Sequence, residues 1–157
     1  MYSELALQKM EEIEDNAWKR ASLQHSLDSY KKYITSYPYG KFVKEAEDKI
    51  IDLEINKIFT GKHSKLPPPH QTSYGYGSTS EVVIENATQY IMTLYYSGPD
   101  KKKIEIQPYS KINRIFSNGY YKVGARVSDS SVYPFVGERS MNGGGYSEYF
   151  YIVRTRY

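Results

Sequence analysis

The sequence predicts an α+β protein in which three N-terminal helices pack on a C-terminal antiparallel β-sandwich of about seven strands. Three observations carry this. Apolar residues recur every three or four positions as far as residue 59, and every second position from residue 81 onwards. Between the two regimes lies a stretch rich in proline, glycine and serine. The implied organisation is a helical unit over 1–59, a connector over 60–80 and a β domain over 81–157.

In the first helix Ala6, Met10, Ile13, Ala17 and Ala21 share a face, with Leu7 and Trp18 at its margin and Ser3 as N-cap. The polar stretch Ser22–Ser26 breaks it, and Ser26 caps a second helix carrying Leu27, Tyr30 and Ile34. That helix ends at Tyr37-Pro38, because a residue before proline avoids helical geometry. The third helix, 41–59, has two apolar stripes. Val43, Ala46, Ile50 and Leu53 cover the preceding helices. Ile51, Ile55, Ile58 and Phe59 require a second partner, and the β domain is the one predicted.

The connector, TGKHSKLPPPHQTSYGYGSTS, contains Pro67-Pro68-Pro69, which favours an extended, semi-rigid path along the surface. Seven strand candidates follow: 82–85, 90–96, 103–106, 111–116, 120–127, 132–136 and 146–153. Turn signals separate them at SGPD, SNG, SDSS and NGGG. Short strands at this spacing, with no intervening helix, predict an Ig-like sandwich, and Pro134 marks its strand as an edge.

Composition excludes several functions. The chain has 157 residues, 25% charged and 39% hydrophobic, with net charge +3. Residues 1–65 hold 11 basic and 11 acidic side chains, and residues 66–157 hold 10 and 7. Neither half carries the basic stripe of a nucleic-acid surface. With no cysteine, disulfides, thiolate metal sites and cysteine nucleophiles are ruled out. No apolar run approaches the ~18 residues of a membrane span. The acidic, amphipathic N-terminus is unlike a signal peptide. The expected location is therefore cytoplasmic if Met1 is native, and the cell envelope (periplasm or surface) if a leader has been removed.

WKRA (18–21) and SLDSYKKYITSYPYGKFVKEAEDKI (26–50) resemble a single tetratricopeptide-like unit of bacterial envelope and assembly proteins, through Tyr30, Tyr33, Tyr37-Pro38-x-Gly40, Phe42, Ala46 and Ile50. IENATQYIMTLYYSGPDKKKIEIQP (84–108), NGYYKVGARV (118–127), VYPFVG (132–137) and GGGYSEYFYI (143–152) resemble an uncharacterised β-sandwich module of Bacteroidetes-type bacterial proteins. The joining segment, IDLEINKIFTGKHSKLPPP into SYGYGSTSEV, resembles that of the same architecture. The resemblance implies an architecture and no activity.

The candidate sites are few. Lys101–Lys103 read as a solvated hairpin tip. His25, His63 and His70 lack metal-ligand spacing, so neither a metal nor a cofactor is expected. Glu138 and Glu148 flank the 143–145 glycine run, which as a hairpin would bring them together as the carboxylate pair of a glycosidase, but no other catalytic feature accompanies them. Asn142–Gly145 is followed by a strand rather than a helix, which argues for a positive-φ turn and against a phosphate loop. Ser130-Ser131 lacks a nucleophile-elbow context. Asn86-Ala87-Thr88 matches a glycosylation sequon.

Tyrosine is the outlying component: 18 residues, 13 of them after position 65. Tyr95, Tyr96, Tyr120, Tyr133, Phe135, Tyr149 and Tyr151 fall on predicted strands. Adjacent rings point to opposite faces, so some must lie outside the core. They cover neighbouring strands, receive Ile51, Ile55 and Ile58 of the third helix, or form a surface for a protein partner or a glycan. A non-catalytic protein-interaction or assembly module of a bacterial envelope or surface system is the leading expectation. A carbohydrate-binding module is the second and an enzyme the third.

Overall fold

The Ser3 side chain accepts from the Ala6 N–H at 3.2 Å and so starts helix α1 (Glu4–Gln24), in a computed structural model that describes residues 1–153. His25, in the left-handed conformation at φ 45°, closes α1 with its N–H on the Ala21 carbonyl. Ser26 and Ser29 then cap each other reciprocally to open α2 (Leu27–Ser36). Tyr37 ends α2, and α3 (Val43–Thr60) follows two residues later than the predicted start. The chain divides into two compact units, Met1–Glu54 and Ile55–Tyr157. The division thus falls inside α3, not at its predicted end. The last four residues of the predicted β domain lie outside the described residues.

In the first unit Trp18 sits among Tyr30, Tyr33 and Phe42, with ring centroids 5.7, 5.2 and 5.0 Å away. Tyr30, Tyr33, Ala21 and Ala46 are buried around it. The turn before α3 is tied by a polar knot. The Tyr33 hydroxyl donates to Glu14 Oε1 at 2.6 Å, and the Lys41 N–H donates to the same oxygen at 2.8 Å. Burial and the Glu14 carboxylate raise the Tyr33 pKa well above its ordinary value. The apolar stripe predicted along α1 is covered only in part: Ala17 and Ala21 pack, whereas Met10 and Ile13 are about half exposed. At ~1.5 Å rise per residue, the 10-residue α2 cannot span the 21-residue α1.

The second unit holds two mixed sheets. One has the order β1 (Ser64–Lys65), β8 (Phe135–Met141), β7 (Gly119–Val127), β4 (Met92–Ser97), β5 (Lys101–Ile106). The other runs β2 (His70–Ser73), β9 (Gly144–Phe150), β3 (Thr79–Asn86), β6 (Ser110–Ser117). Nine strands among the described residues replace the seven predicted, because the connector supplies β1 and β2, one to each sheet. The sheets are not purely antiparallel, since β1 pairs with β8 and β3 with β9 in parallel. Nor does Pro134 sit on an edge strand: it precedes β8, and its carbonyl accepts from the Ser64 N–H at 2.8 Å, leaving β1 as the edge. The connector is also more than a surface strap, because Leu66 is buried in the β core.

Both sheets feed that core. Val82, Ile84, Phe116, Tyr146 and Phe150 come from one, and Met92, Leu94, Tyr96, Tyr121, Val123 and Met141 from the other. The outer face of β7 receives the end of α3. A Cβ added to Gly124 would meet Ile58 Cδ1 at 2.8 Å and Ile55 Cγ1 at 3.7 Å, so the absent side chain lets these isoleucines approach the strand. Lys122 Nζ lies 5.7 Å from the Phe59 ring centroid on the same face. Ile51, which falls in the first unit, is buried.

Candidate functional site

The seven aromatic candidates separate by environment. Tyr96 is fully buried and donates to Glu148 Oε2 at 2.9 Å; burial, and then the Glu148 charge, hold its hydroxyl pKa well above the ordinary value. Tyr95, on the opposite face of β4, is buried too. Neither ring belongs to an exposed surface: β4 is an inner strand, between β7 and β5, and both of its tyrosines are buried. Tyr120 is half exposed on the outer face of β7, where burial is slight and a hydrogen bond to Glu138 raises its pKa. Tyr133, Phe135, Tyr149 and Tyr151 gather elsewhere.

Tyr133, Phe135 and Tyr151 line one groove of about 810 Å³ within the β unit. Ser64, Lys65, Pro67 and Pro68 form one wall, and Ser131, Val132, Ile152 and Val153 complete it. Each wall has a local cause. The connector is hung on β8 by the Ser64 N–H on Pro134 and the Leu66 N–H on the Val136 carbonyl at 2.9 Å. The turn before Tyr133 is set by Asp129, whose Oδ1 accepts from the Ser131 N–H at 2.9 Å and the Ser131 hydroxyl at 2.7 Å. Phe135 leans partly on the core, and the Tyr151 ring is 5.7 Å from that of Tyr149. Tyr133, Tyr149 and Tyr151 each keep about half their surface in solvent. Among the described residues that line it, Lys65 is the one ionisable cation, and the others are apolar, aromatic or hydroxylic.

The carboxylates are not arranged as a facing pair. Glu138 is on β8 and Glu148 on β9, and these strands belong to different sheets, so no hairpin joins them. Glu148 is buried, with Oε1 on Arg139 Nε at 2.6 Å and Oε2 on Tyr96. Asn86 is also committed to the fold. Its Nδ2 donates to the carbonyls of Tyr90, Ile106 and Gln107, and its Oδ1 accepts from the Thr88 N–H and hydroxyl. A fully buried amide of this kind cannot accept a glycan in the folded chain. Gly143 and Gly144 take positive φ, 95° and 76°, as turn residues against the connector.

The histidines are dispersed. His25 Nδ1 is 2.8 Å from the Tyr30 hydroxyl, His63 lies against Phe59, and His70 is exposed on β2. Among the described residues no cluster of three or more His, Asp or Glu is placed to hold a metal, and no helix is long and apolar enough to cross a membrane. Sequence reasoning did not find the proline wall, Ser64, Lys65 or Ser131 as groove residues. Their signal was the coincidence of a Pro-rich connector with a Tyr-rich strand, which needs the β1–β8 pairing to become geometry.

No family model matches the chain, and no curated protein or solved structure does either.

Proposed function

We propose that the chain is a non-catalytic protein-interaction or assembly module of a bacterial envelope or surface system, and that its β unit docks an extended peptide segment in the Tyr133–Phe135–Tyr151 groove. The observation that carries this is the set of partly exposed rings converging on one proline-walled groove. Aromatic side chains offer large contact area at low entropic cost, and grooves lined by them take extended, apolar segments. The volume falls within the range of ordinary ligand sites, roughly 300–1,000 Å³. We read the two sheets as an Ig-like sandwich and the helices as one tetratricopeptide-like unit; the shared β core and the Trp18–Tyr33–Phe42 packing support that reading.

The test is selection from a displayed peptide library on the intact protein, followed by titration of the selected peptides. Tyr133→Ala with Tyr151→Ala weakens binding tenfold or more, about 1.4 kcal/mol, whereas Tyr120→Ala leaves it unchanged. Equal effects of both changes overturn the assignment.

A carbohydrate-binding role is the second reading. It is favoured by the Ser64 and Ser131 hydroxyls beside half-exposed Tyr133 and Tyr151, a pairing of stacking face and hydrogen-bond groups suited to a sugar. Glycan-array binding lost in the same double variant, with no peptide selected, decides for it.

A further inference from the structure

Pro67, Pro68 and Pro69 have no backbone N–H, so this segment cannot continue the ladder that β1 begins. The pairing accordingly stops at Lys65, and the Leu66 N–H makes the last backbone bond to β8. Beyond that point the chain crosses to the other sheet, where it becomes β2. Two hollows share Lys65, Pro67 and Pro68 of this crossing: the aromatic groove, and a second of about 490 Å³ lined also by Leu66, Pro69, Gly137 and Arg139. The groove's proline wall is therefore a wall of the second hollow as well.

One side chain does what the missing N–H groups cannot. Arg139 Nη2 donates to the Pro67 carbonyl, Nη1 donates to the Glu138 carbonyl at 3.0 Å, and Nε donates to Glu148 Oε1 at 2.6 Å. Arg139 is on β8 and Glu148 on β9, so the pair spans the two sheets beneath the crossing. Both side chains are almost wholly buried, at 6% and 3% exposure. Replacing a buried ion pair with apolar groups of similar volume is often neutral or stabilising, so its presence calls for a reason other than stability.

We infer that Arg139 is a positioning residue for the groove: held by Glu148, its guanidinium pins the Pro67 carbonyl and thereby fixes the Lys65–Pro68 wall. The assignment rests on the groove being a docking site, but its test requires no ligand. In Arg139→Met/Glu148→Leu, made in a Tyr96→Phe background because the Tyr96 hydroxyl donates to Glu148, the buried charges leave together, so neither an unpaired ion nor a stranded hydroxyl destabilises the core. The double variant unfolds cooperatively near the parent's midpoint, while the Ser64 and Leu66 amides exchange with solvent at least tenfold faster. Trypsin then cuts after Lys65, a bond it spares in the parent.

Arg139→Lys serves as the second variant should the double change fail to fold. Lysine keeps the charge beside Glu148 but lacks the fork that reaches both Glu148 and Pro67, and the same loss of protection is expected. Unchanged exchange at Leu66 in either folded variant overturns the inference. If protection falls but peptide selection on the parent yields nothing, the positioning role stands and the docking reading fails.

Discussion

Asp100 accepts from the Ser117 N–H at 2.6 Å, the Ser117 hydroxyl at 3.0 Å and the Tyr121 hydroxyl at 3.3 Å. These bonds, the backbone one foremost, hold its carboxyl pKa below the ordinary value, while burial above all pushes that of Tyr121 up to about 12. The Asp100 contribution to stability is complete above the unfolded carboxyl value of ~3.9 and is lost as pH falls through the lower folded value. Midpoints of the β unit measured from pH 5 down to pH 2 should therefore drop more steeply in the parent than in Asp100→Asn. Gly40 is the equivalent pressure point among the helices. A Cβ there would lie 2.6 Å from Glu14 Oε1, 2.7 Å from the Tyr33 hydroxyl and 2.9 Å from Tyr37 Cβ. Gly40→Ala should cost about 1–3 kcal/mol, read by urea titration of Trp18 fluorescence, the one tryptophan of the chain. Ser3 and Ser26 were legible as caps because a cap bonds within three residues. Tyr96 was not legible as a core residue, because its partner Glu148 is 52 positions away.

Among the elements, the helices were read nearly to their ends because their signals are local: Ser3, Ser26 and Tyr37-Pro38 each act on the adjoining turn. The strands from β3 to β7 were also found, through period-two alternation and turn residues. β1, β2 and the true extent of β8 were not. β1 is two residues long and pairs in parallel with a strand 71 positions on, as Ser64 with Phe135. In β8 the polar run Gly137-Glu138-Arg139-Ser140 reads as loop, since nothing local reveals that Arg139 is buried against Glu148. The end of α3 offers a test at this scale. Gly124→Val places two methyl groups where Ile58 Cδ1 already approaches a bare Cα, and should destabilise the β unit by about 1–3 kcal/mol. Val123→Ile, on the core face of the same strand, provides a comparison; Gly124→Val as mild as a surface change would mean that Ile58 does not seat there.

For the chain as a whole, the proposed docking role rests on shape and aromatic surface rather than on charge, since the net charge is only +3. Tyrosine abundance pointed to such a surface, and period-two reasoning showed that some rings must leave the core. Which of them assemble depended on the connector's pairing with β8, and that lay beyond a reading of periodicity. The most direct measurement is an amide chemical-shift map of the isotopically labelled protein titrated with a library-selected peptide. Amide perturbations should concentrate at Ser64–Leu66, Ser131–Tyr133, Phe135 and Tyr151–Val153, and be lost in Tyr133→Ala/Tyr151→Ala. Perturbations centred instead on the exposed Tyr74–Tyr76 loop or on α1, with that groove silent, would contradict the docking role.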